Sequence, residues 1–575
     1  MNNLWKYLKG YEKEAVCAPL FKLLEALMDL IVPLIVASMI DVGIARGDRG
    51  YIAARMAMLF GLAAVGLAFS ITAQWFSAKA SVGFGTKLRQ ALFDHVQSLS
   101  YRELDTIGTD TMITRLTSDI NQVQTGLNMG LRLLLRSPFV VLGSCVFAFM
   151  IDVKSALVFA VAIPLLGIVI FGIMLVSIPL FRKVQTALDG LLSVTRENLT
   201  GARVIRAFRR EQDSVAEFDK KNDNLTKLNL FVGRVSALMN PVSYAMINIA
   251  TIILIYVGAV RVNIGALEQG QVVALYNYMA QMIVELIKLA SLIITINKSL
   301  ACADRVAGVF EMTPSIANGT SEVDVNSDVP VVAFDDVTFT YAGASAPSLE
   351  HVSFQALKGQ TIGIIGGTGS GKSTLVNLIP RFYDAAEGSI KVYGSDIQSV
   401  DLNSLLSMTG VVPQKAQLFA GTIRDNMKWG KEDATDAEIW EALETAQAKE
   451  VVEGKDGQLD FRLEQNGKNL SGGQKQRLTI ARALIKKPQI LILDDSSSAL
   501  DFATDAKLRV ALHNLSWKLT VFVVSQRAAS VMYADDILVL DDGKIVGHGT
   551  HDELMESNEI YQEIYYSQFP REEEA

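Results

Sequence analysis

Thr361-Ile-Gly-Ile-Ile365 runs into Gly366-Gly367-Thr368-Gly369-Ser370-Gly371-Lys372-Ser373-Thr374, and Leu375–Ile379 continues with helical spacing. The order is apolar strand, glycine-rich loop, helix. Glycines let the backbone N–H groups of such a loop turn toward a phosphate chain, and the following helix presents its positive end to it. Lys372 can neutralise the β- and γ-phosphates, and Ser373 can ligand Mg²⁺. A chance glycine-rich turn is the rival reading, and the strand–loop–helix setting argues against it. The whole stretch Gly366–Thr374 is therefore the candidate nucleotide cradle.

Downstream, Ile490-Leu-Ile-Leu-Asp494 is an apolar run ending in a carboxylate. A buried strand that ends in Asp suits a Mg²⁺-holding group, either directly or through water. Alone it is a weak signal, and behind Gly371-Lys372-Ser373 it is a strong one. Between the two lies Leu470-Ser-Gly-Gly-Gln474, where a serine and two glycines open a helix and offer N–H donors to an anion. Taken by itself this pentapeptide reads as an ordinary serine-capped helix. Strand-like runs at Val331–Phe334, Val352–Gln355, Thr361–Ile365, Ile490–Leu493 and Thr520–Val524, separated by helical stretches, predict an α/β fold with parallel strands.

Upstream the chain changes character. Of its 575 residues 50% are hydrophobic and 20% charged, with 53 basic and 61 acidic side chains and a net charge of −8. The acidic balance argues against a nucleic-acid-coating protein, and the shortage of charge predicts that part of the chain faces lipid. Cys17, Cys145 and Cys302 are too far apart to read as a disulfide framework or a zinc site. Residues 1–311 hold nearly all the long apolar runs. Six of them, at roughly 15–40, 55–77, 131–151, 155–180, 235–261 and 270–295, approach the ~20 residues that a bilayer requires. The connections after the second and fourth are long, helix-compatible and rich in Lys and Arg, so they are expected in the cytoplasm. No secretory signal is visible, and an even number of spans puts both termini on the cytoplasmic side. Ala54–Leu99 contains no proline. At 1.5 Å per residue it makes a helix of about 69 Å, more than twice the ~30 Å hydrocarbon core. Residues 312–330 read as a polar linker, 331–570 as the soluble domain and 571–575 as an acidic tail.

These motifs together resemble the nucleotide-binding domain of ABC transporters. With six spans and long cytoplasmic extensions, the whole chain resembles an ABC exporter half-transporter of the multidrug or lipid type. The resemblance implies a six-span helical transmembrane domain fused to an α/β P-loop nucleotide-binding domain, with ATP and Mg²⁺ as cofactors. It implies that Leu470–Gln474 is the signature motif, with Ser471 and Gly473 acting on ATP held by the partner subunit. Tyr341 matches the aromatic that stacks on adenine, although a core tyrosine would look the same. Gln414 matches the glutamine that ligands Mg²⁺ and senses the membrane domain, and Asp501 closes the D-loop Ser498-Ala-Leu-Asp501. The stretch Arg203–Glu211, at the far end of the fourth-span extension, is expected against a nucleotide-binding domain, by resemblance the partner's, with a solvated basic helix attracted to anionic lipid as the rival reading.

Two departures from the family pattern carry more information than the matches. A Glu normally follows the strand-end Asp and polarises the attacking water, whereas here the position is Asp495, one methylene shorter. A His normally follows the strand Val521–Ser525, whereas here it is Gln526, which cannot carry a proton as imidazole does. Pulling a base back by ~1 Å can cost about 10²-fold in rate. Slow turnover on Asp495 with neutral drift at Gln526 is the bland reading. Two losses in one site beside an intact signature favour a degenerate-site subunit of a heterodimer. Glu464-Gln-Asn-Gly467, before the signature, also departs from the family's Gly-Glu-x-Gly. The expected function is thus one half of a heterodimeric, ATP-driven exporter in the cell membrane, moving lipophilic or amphiphilic compounds. Its own site binds ATP and hydrolyses it poorly. The alternative is an ATP-gated channel or regulatory subunit. The expected partners are an unlike half-transporter, membrane lipid and a small lipophilic substrate, with no nucleic acid. Ionisable residues inside the spans (Lys22, Glu25, Asp29, Arg132, Arg136, Glu285, Lys288) either line a polar cavity, with Asp29 the first candidate, or neutralise one another.

Overall fold

The computed structural model describes residues 4–325 and 329–569, so the acidic tail at 571–575 and part of the linker lie outside the described residues. The chain divides into two compact units, Met1–Gln97 with Asp110–Glu311, and Ser98–Thr109 with Met312–Ala575. The segment Ser98–Thr109 thus belongs to the second unit although it lies within the apolar half of the sequence.

The first unit is helical. Its six long helices are α1 (Glu12–Ile44), α2 (Arg49–Ser98), α4 (Thr109–Ile151), α5 (Val153–Thr200), α7 (Glu211–Asn263) and α8 (Gln269–Phe310). Short helices α3 (Tyr101–Ile107) and α6 (Ala202–Ala207) fall at the two positively charged connections. Each long helix contains one of the six apolar runs, and each is long and apolar enough to cross a membrane. The 50 residues of α2 correspond to about 75 Å of helix, so the apolar run continues without a break into the polar connection. The 235–261 run is the final stretch of α7, whose first half is polar and exposed.

Charged groups in this unit pair across helices. Arg136 of α4 donates to Asp29 of α1 at 2.9 Å and to Glu285 of α8. Glu285 also accepts from the Ser137 hydroxyl at 2.8 Å and from Lys288 at 3.0 Å, and Lys22 pairs with Glu25 at 2.5 Å. The Glu285 side chain is 5% exposed, whereas that of Asp29 is 47% exposed. Mutual neutralisation therefore accounts for most of the intramembrane charge, and Asp29 is the carboxylate of the set that remains half open. Small residues let the helices approach. At Gly126 of α4 a Cβ would stand 2.1 Å from Oγ of Ser299 on α8, whose hydroxyl donates to the Gln122 carbonyl at 2.9 Å.

The second unit holds two main sheets. The first is six-stranded, in the order β12 (Lys544–Gly549), β11 (Asp536–Asp541), β3 (Thr361–Gly366), β10 (Thr520–Val524), β9 (Ile490–Asp494), β6 (Thr409–Val412). Its strands run parallel except β12. Strands β9 and β10 are buried at every residue, which is why they read as continuous apolar runs. Alternate residues feed two cores. Leu491, Leu493, Val521 and Val523 pack on one face with Leu478 and Leu484 of the signature helix, and Ile490, Ile492, Phe522 and Val524 pack on the other.

The second sheet corrects the expectation of all-parallel strands. Strands β1 (Val332–Phe339) and β2 (Leu349–Ala356) pair antiparallel, and β1 pairs antiparallel with β4 (Glu387–Val392), which pairs with β5 (Ser395–Asp396). A bulge after Asp335 shifts the β1 register, with Asp336 at φ 51°. That extra residue breaks the two-residue alternation that would mark an antiparallel strand in sequence. A further small pair joins β7 (Gly421–Thr422) to β8 (Arg462–Leu463).

Candidate nucleotide site

The site grows from the carboxyl ends of β3, β9 and β10, where a doubly covered parallel sheet places its ligand crevice. Leaving β3, the loop Gly366–Gly371 turns into α9 (Lys372–Leu378). Gly371 sits at φ 96°, and a Cβ there would stand 2.6 Å from the Ser348 carbonyl. Both facts require glycine. The Lys372 ammonium lies over the loop it follows, donating to the carbonyls of Gly366 at 3.0 Å and Gly367 at 2.5 Å and to the Ser370 hydroxyl at 3.3 Å. Burial pushes its pKa below the ordinary lysine value, opposed by the charges of Asp495 and Asp494.

The Ser373 hydroxyl donates to Oδ1 of Asp494 at 2.8 Å, joining the end of β9 to the start of α9. Burial raises the Asp494 pKa, and the neighbouring Asp495 charge adds to the effect, against the Ser373 bond and Lys372. Asp495 follows with φ 45°. Its N–H donates to the Val524 carbonyl of β10 at 3.0 Å, so its backbone still belongs to the sheet while its side chain turns into the site. Nε2 of Gln414, just past β6, donates to Oδ2 of Asp495 at 3.3 Å. Gln526 is exposed beyond β10. Its carbonyl accepts from Nε2 of Gln568 at 2.9 Å, and Gln568 in turn accepts from the Ala528 N–H at 2.9 Å.

Tyr341 stands at the far end. Its hydroxyl lies 3.2 Å from that of Thr374, and its ring meets Phe339 edge-on at 4.8 Å. One recess of about 360 Å³ is lined by Tyr341, Thr368, Gly369, Gly371, Lys372, Ser373, Thr374, Gln414, Asp494, Asp495 and Gln526. Residues from five separate stretches of sequence therefore meet in one place, with Gly366, Gly367 and Ser370 forming the turn beneath Lys372. The arrangement offers a cation for phosphate, a hydroxyl and a carboxylate for a hard divalent ion, and an aromatic ring for a base.

Three expected residues do not join that recess. Ser471 caps α10 (Gly472–Leu484), with its N–H donating to Gln474 Oε1 at 3.1 Å and its hydroxyl accepting from the Gln474 N–H at 3.4 Å. Gly473 lies two residues on, and a Cβ there would come within 2.9 Å of the Ala499 carbonyl. Asp501 caps α11 (Phe502–His513) by accepting from the Thr504 N–H at 3.1 Å, and its bonds to Thr504 hold its carboxyl below the usual range. All three are at the surface or at helix starts, clear of the recess of their own chain. Sequence reading also missed Ser348, which lines the recess, and Tyr383, which stands edge-on to Tyr341 at 5.3 Å. The aromatic pair Phe382-Tyr383 carries no period that separates it from an ordinary core.

Two family models match the chain, ABC transporter transmembrane region over residues 16–286 and ABC transporter over residues 349–498. The chain belongs to the ABC transporter family. An uncharacterized ABC transporter ATP-binding protein of Mycobacterium tuberculosis is 35% identical to it over 98% of this chain and 97% of that protein. A Bacillus subtilis protein of the same description is also 35% identical, over 100% and 99%. The ATP-dependent lipid A-core flippase of Vibrio cholerae is 30% identical over 98% and 97%. In fold, this ABC transporter matches the structure of a bacterial Atm1-family ABC exporter with ATP bound. The TM-score is 0.80 at 23% identity, covering 98% of this chain and 99% of that one. The six apolar helices and the nucleotide-binding domain are thus those of a multi-pass ABC exporter fold, and the recess lies in its ATP-binding domain.

Proposed function

We propose that this ABC transporter is one subunit of a heterodimeric ATP-driven exporter of lipophilic or amphiphilic compounds, with its own ATP site impaired. The observation that carries the reading is the pairing of Asp495 and Gln526 in one recess with an otherwise complete phosphate site. Lys372 and the loop bind the phosphate chain of ATP. Ser373 and Asp494, 2.8 Å apart, supply hard oxygen donors that suit Mg²⁺, with Gln414 beside them; Mg²⁺ would offset phosphate charge there. Asp495 lies at the position from which a carboxylate would accept a proton from the attacking water. A base must come within hydrogen-bond reach of that water, and Asp is one methylene shorter than the Glu the chemistry favours. Gln526 can donate a neutral hydrogen bond to a γ-phosphate but brings no positive charge to it. ATP is bound and turned over slowly.

The signature Ser471-Gly-Gly-Gln474 is intact and capped at an exposed helix start, where its hydroxyl and N–H groups can face ATP on another subunit. In this reading they complete a competent site on an unlike partner, and the work of export is driven mainly there. The relation to lipid A-core flippases and the mutual pairing of intramembrane charge support an amphiphilic cargo. Both termini lie on the cytoplasmic side in this reading, in keeping with the basic connections.

The test is isolation of the chain in detergent from its native membrane. An unlike ABC subunit should co-purify in equal amount, and the pair should hydrolyse ATP faster than this chain alone by at least about tenfold. A purified homodimer that turns over at the full rate overturns the heterodimer reading and leaves family membership untouched.

A further inference from the structure

Asp495 and Gln526 follow the ends of β9 and β10, and the loop at Gln526 is held from two sides. On one side is the stretch after Asp495. The Arg527 guanidinium donates to the Ser498 carbonyl at 3.1 Å and lies 5.6 Å over the Phe502 ring, and the Ser530 hydroxyl donates to that of Ser497 at 3.1 Å. On the other side is helix α12 (Glu559–Tyr566). It is rooted by Tyr561, which is fully buried in the core that also holds Val523, Ala528 and Val531. The Tyr561 hydroxyl lies 2.8 Å from Nδ1 of His551. After α12 the N–H groups of Gln568 and Phe569 close on the Tyr565 carbonyl, at 3.0 and 2.9 Å. That turn delivers the Gln568 side chain to the loop. Its Nε2 donates to the Gln526 carbonyl and its Oε1 accepts from the Ala528 N–H, both at 2.9 Å. A carbonyl needs a donor and an N–H needs an acceptor, so a side-chain amide is the group that serves both at once. The two bonds straddle Arg527 and fix the backbone on either side of it.

We propose that Gln568 is a positioning residue for the terminal phosphate: its amide clamps the backbone at Gln526 and Ala528, and so aims the Gln526 side chain into the recess. The inference rests on the reading of Gln526 as the γ-phosphate contact. A charged donor attracts phosphate over a range of positions, because Coulomb attraction falls slowly with distance. A neutral amide must be aimed, because a hydrogen bond weakens steeply once its angle is lost. A site with Gln at this place therefore depends more on how its backbone is held than a site with an imidazolium does. Lys372 and Ser373 are placed by β3 and α9 instead. The clamp accordingly acts on the γ-phosphate and leaves the rest of the nucleotide alone. Through it, the segment after α12 sets how well this site tells a triphosphate from a diphosphate.

Competition against photolabelling of this chain by azido-ATP, in the intact transporter, tests this. The competitors are a non-hydrolysable ATP analogue and ADP, and the ratio of their affinities is the readout. Gln568→Ala should lower the preference for the triphosphate about threefold, the scale of one neutral hydrogen bond. ADP should compete as before, which also shows that the variant is folded. Gln526→Ala should lower the preference by a similar factor, and the double variant by no more than either alone, since both act on one contact. Gln568→Glu keeps the acceptor for Ala528 and loses the donor for Gln526, so it should lower the preference as the alanine change does. A full preference in Gln568→Ala or Gln568→Glu, beside a lowered one in Gln526→Ala, overturns the proposal and leaves the γ-phosphate contact standing. Losses that add in the double variant, or an equal loss of ADP affinity in Gln568→Ala, overturn it as well. A full preference in Gln526→Ala overturns the γ-phosphate contact itself and with it the proposal.

Discussion

The side-chain amide of Gln414 donates to the Asp495 carboxylate across 3.3 Å, so a residue two past β6 and the residue after β9 already face each other at the phosphate end of the recess. In the proposed reading the carboxylate is already turned toward the phosphate end, and its length is what separates it from a competent base. Asp495→Glu should restore that length. With the partner's own site silenced, this change should raise ATP turnover at least tenfold, equivalent to about 1.4 kcal/mol of barrier. Unchanged or reduced turnover would show that Asp495 is not limiting.

Lys372 is placed to meet phosphate and has no other partner than its own loop and the nearby carboxylates among the described residues. Lys372→Ala should abolish photolabelling of this chain by an ATP analogue. Tyr341→Ala should weaken labelling by a smaller factor, because stacking is lost while the phosphate contacts remain. Undiminished labelling of the lysine variant would remove the loop from the site.

Burial raises the Asp494 pKa, so its protonated fraction at mildly acid pH exceeds that of an ordinary carboxylate. A Mg²⁺ ion requires the ionised oxygen, and its binding must then release the proton. The gain in nucleotide affinity from adding Mg²⁺ should therefore shrink as pH falls from neutrality, beginning above the usual carboxylate range of ~4. Calorimetric titration with and without Mg²⁺ at several pH values measures it. Asp494→Asn should lose this dependence and retain the part that belongs to ATP itself.

The phosphate loop, the β9 run and the six spans were legible because each carries a strong local signal, either a glycine spacing that a turn demands or an apolar run that only a buried strand or a lipid-facing helix tolerates. The antiparallel sheet was not. Two of its strands show in the runs at 331–334 and 352–355, but the bulge at Asp336 hides the alternation of β1 that would mark antiparallel pairing, and β11 and β6 of the six-stranded sheet are too short to separate strand from helix. The pairing of Asp29 with Arg136 was equally hidden, because 107 positions separate the two and sequence gives no register between α1 and α4. Tyr383 lacks any pattern of its own, and its place is set by partners at 341 and 105.

Arg136 links three helices through Asp29 and Glu285, and the Glu285 side chain is 5% exposed. Removing one partner of a buried pair leaves the other uncompensated, at a cost of ~3–5 kcal/mol. Arg136→Leu should lower the thermal unfolding midpoint in detergent, and the double change with Glu285→Leu should recover most of the loss. A single variant as stable as the parent would show that Lys288 and Ser137 suffice for Glu285.

The last expectation separates a cross-subunit site from a self-contained one. Ser471 and Gly473 lie outside their own chain's recess, whereas Lys372, Ser373, Asp494 and Asp495 line it. If each chain's signature acts on ATP held by its partner, damage to this chain should fall unevenly. Ser471→Ala should reduce turnover of the assembled transporter strongly, by a hundredfold or so, because a transition-state donor is lost from the competent site. Asp495→Ala should reduce it less than twofold, because its site contributes little. The residue of the partner that corresponds to Asp495 should be Glu, and its change to Gln should nearly stop turnover. Ser471→Ala and the partner's change should not add when combined, since both act on one site. Equal damage from Ser471→Ala and Asp495→Ala, each halving the rate, would instead mark two equivalent sites and a competent base at Asp495.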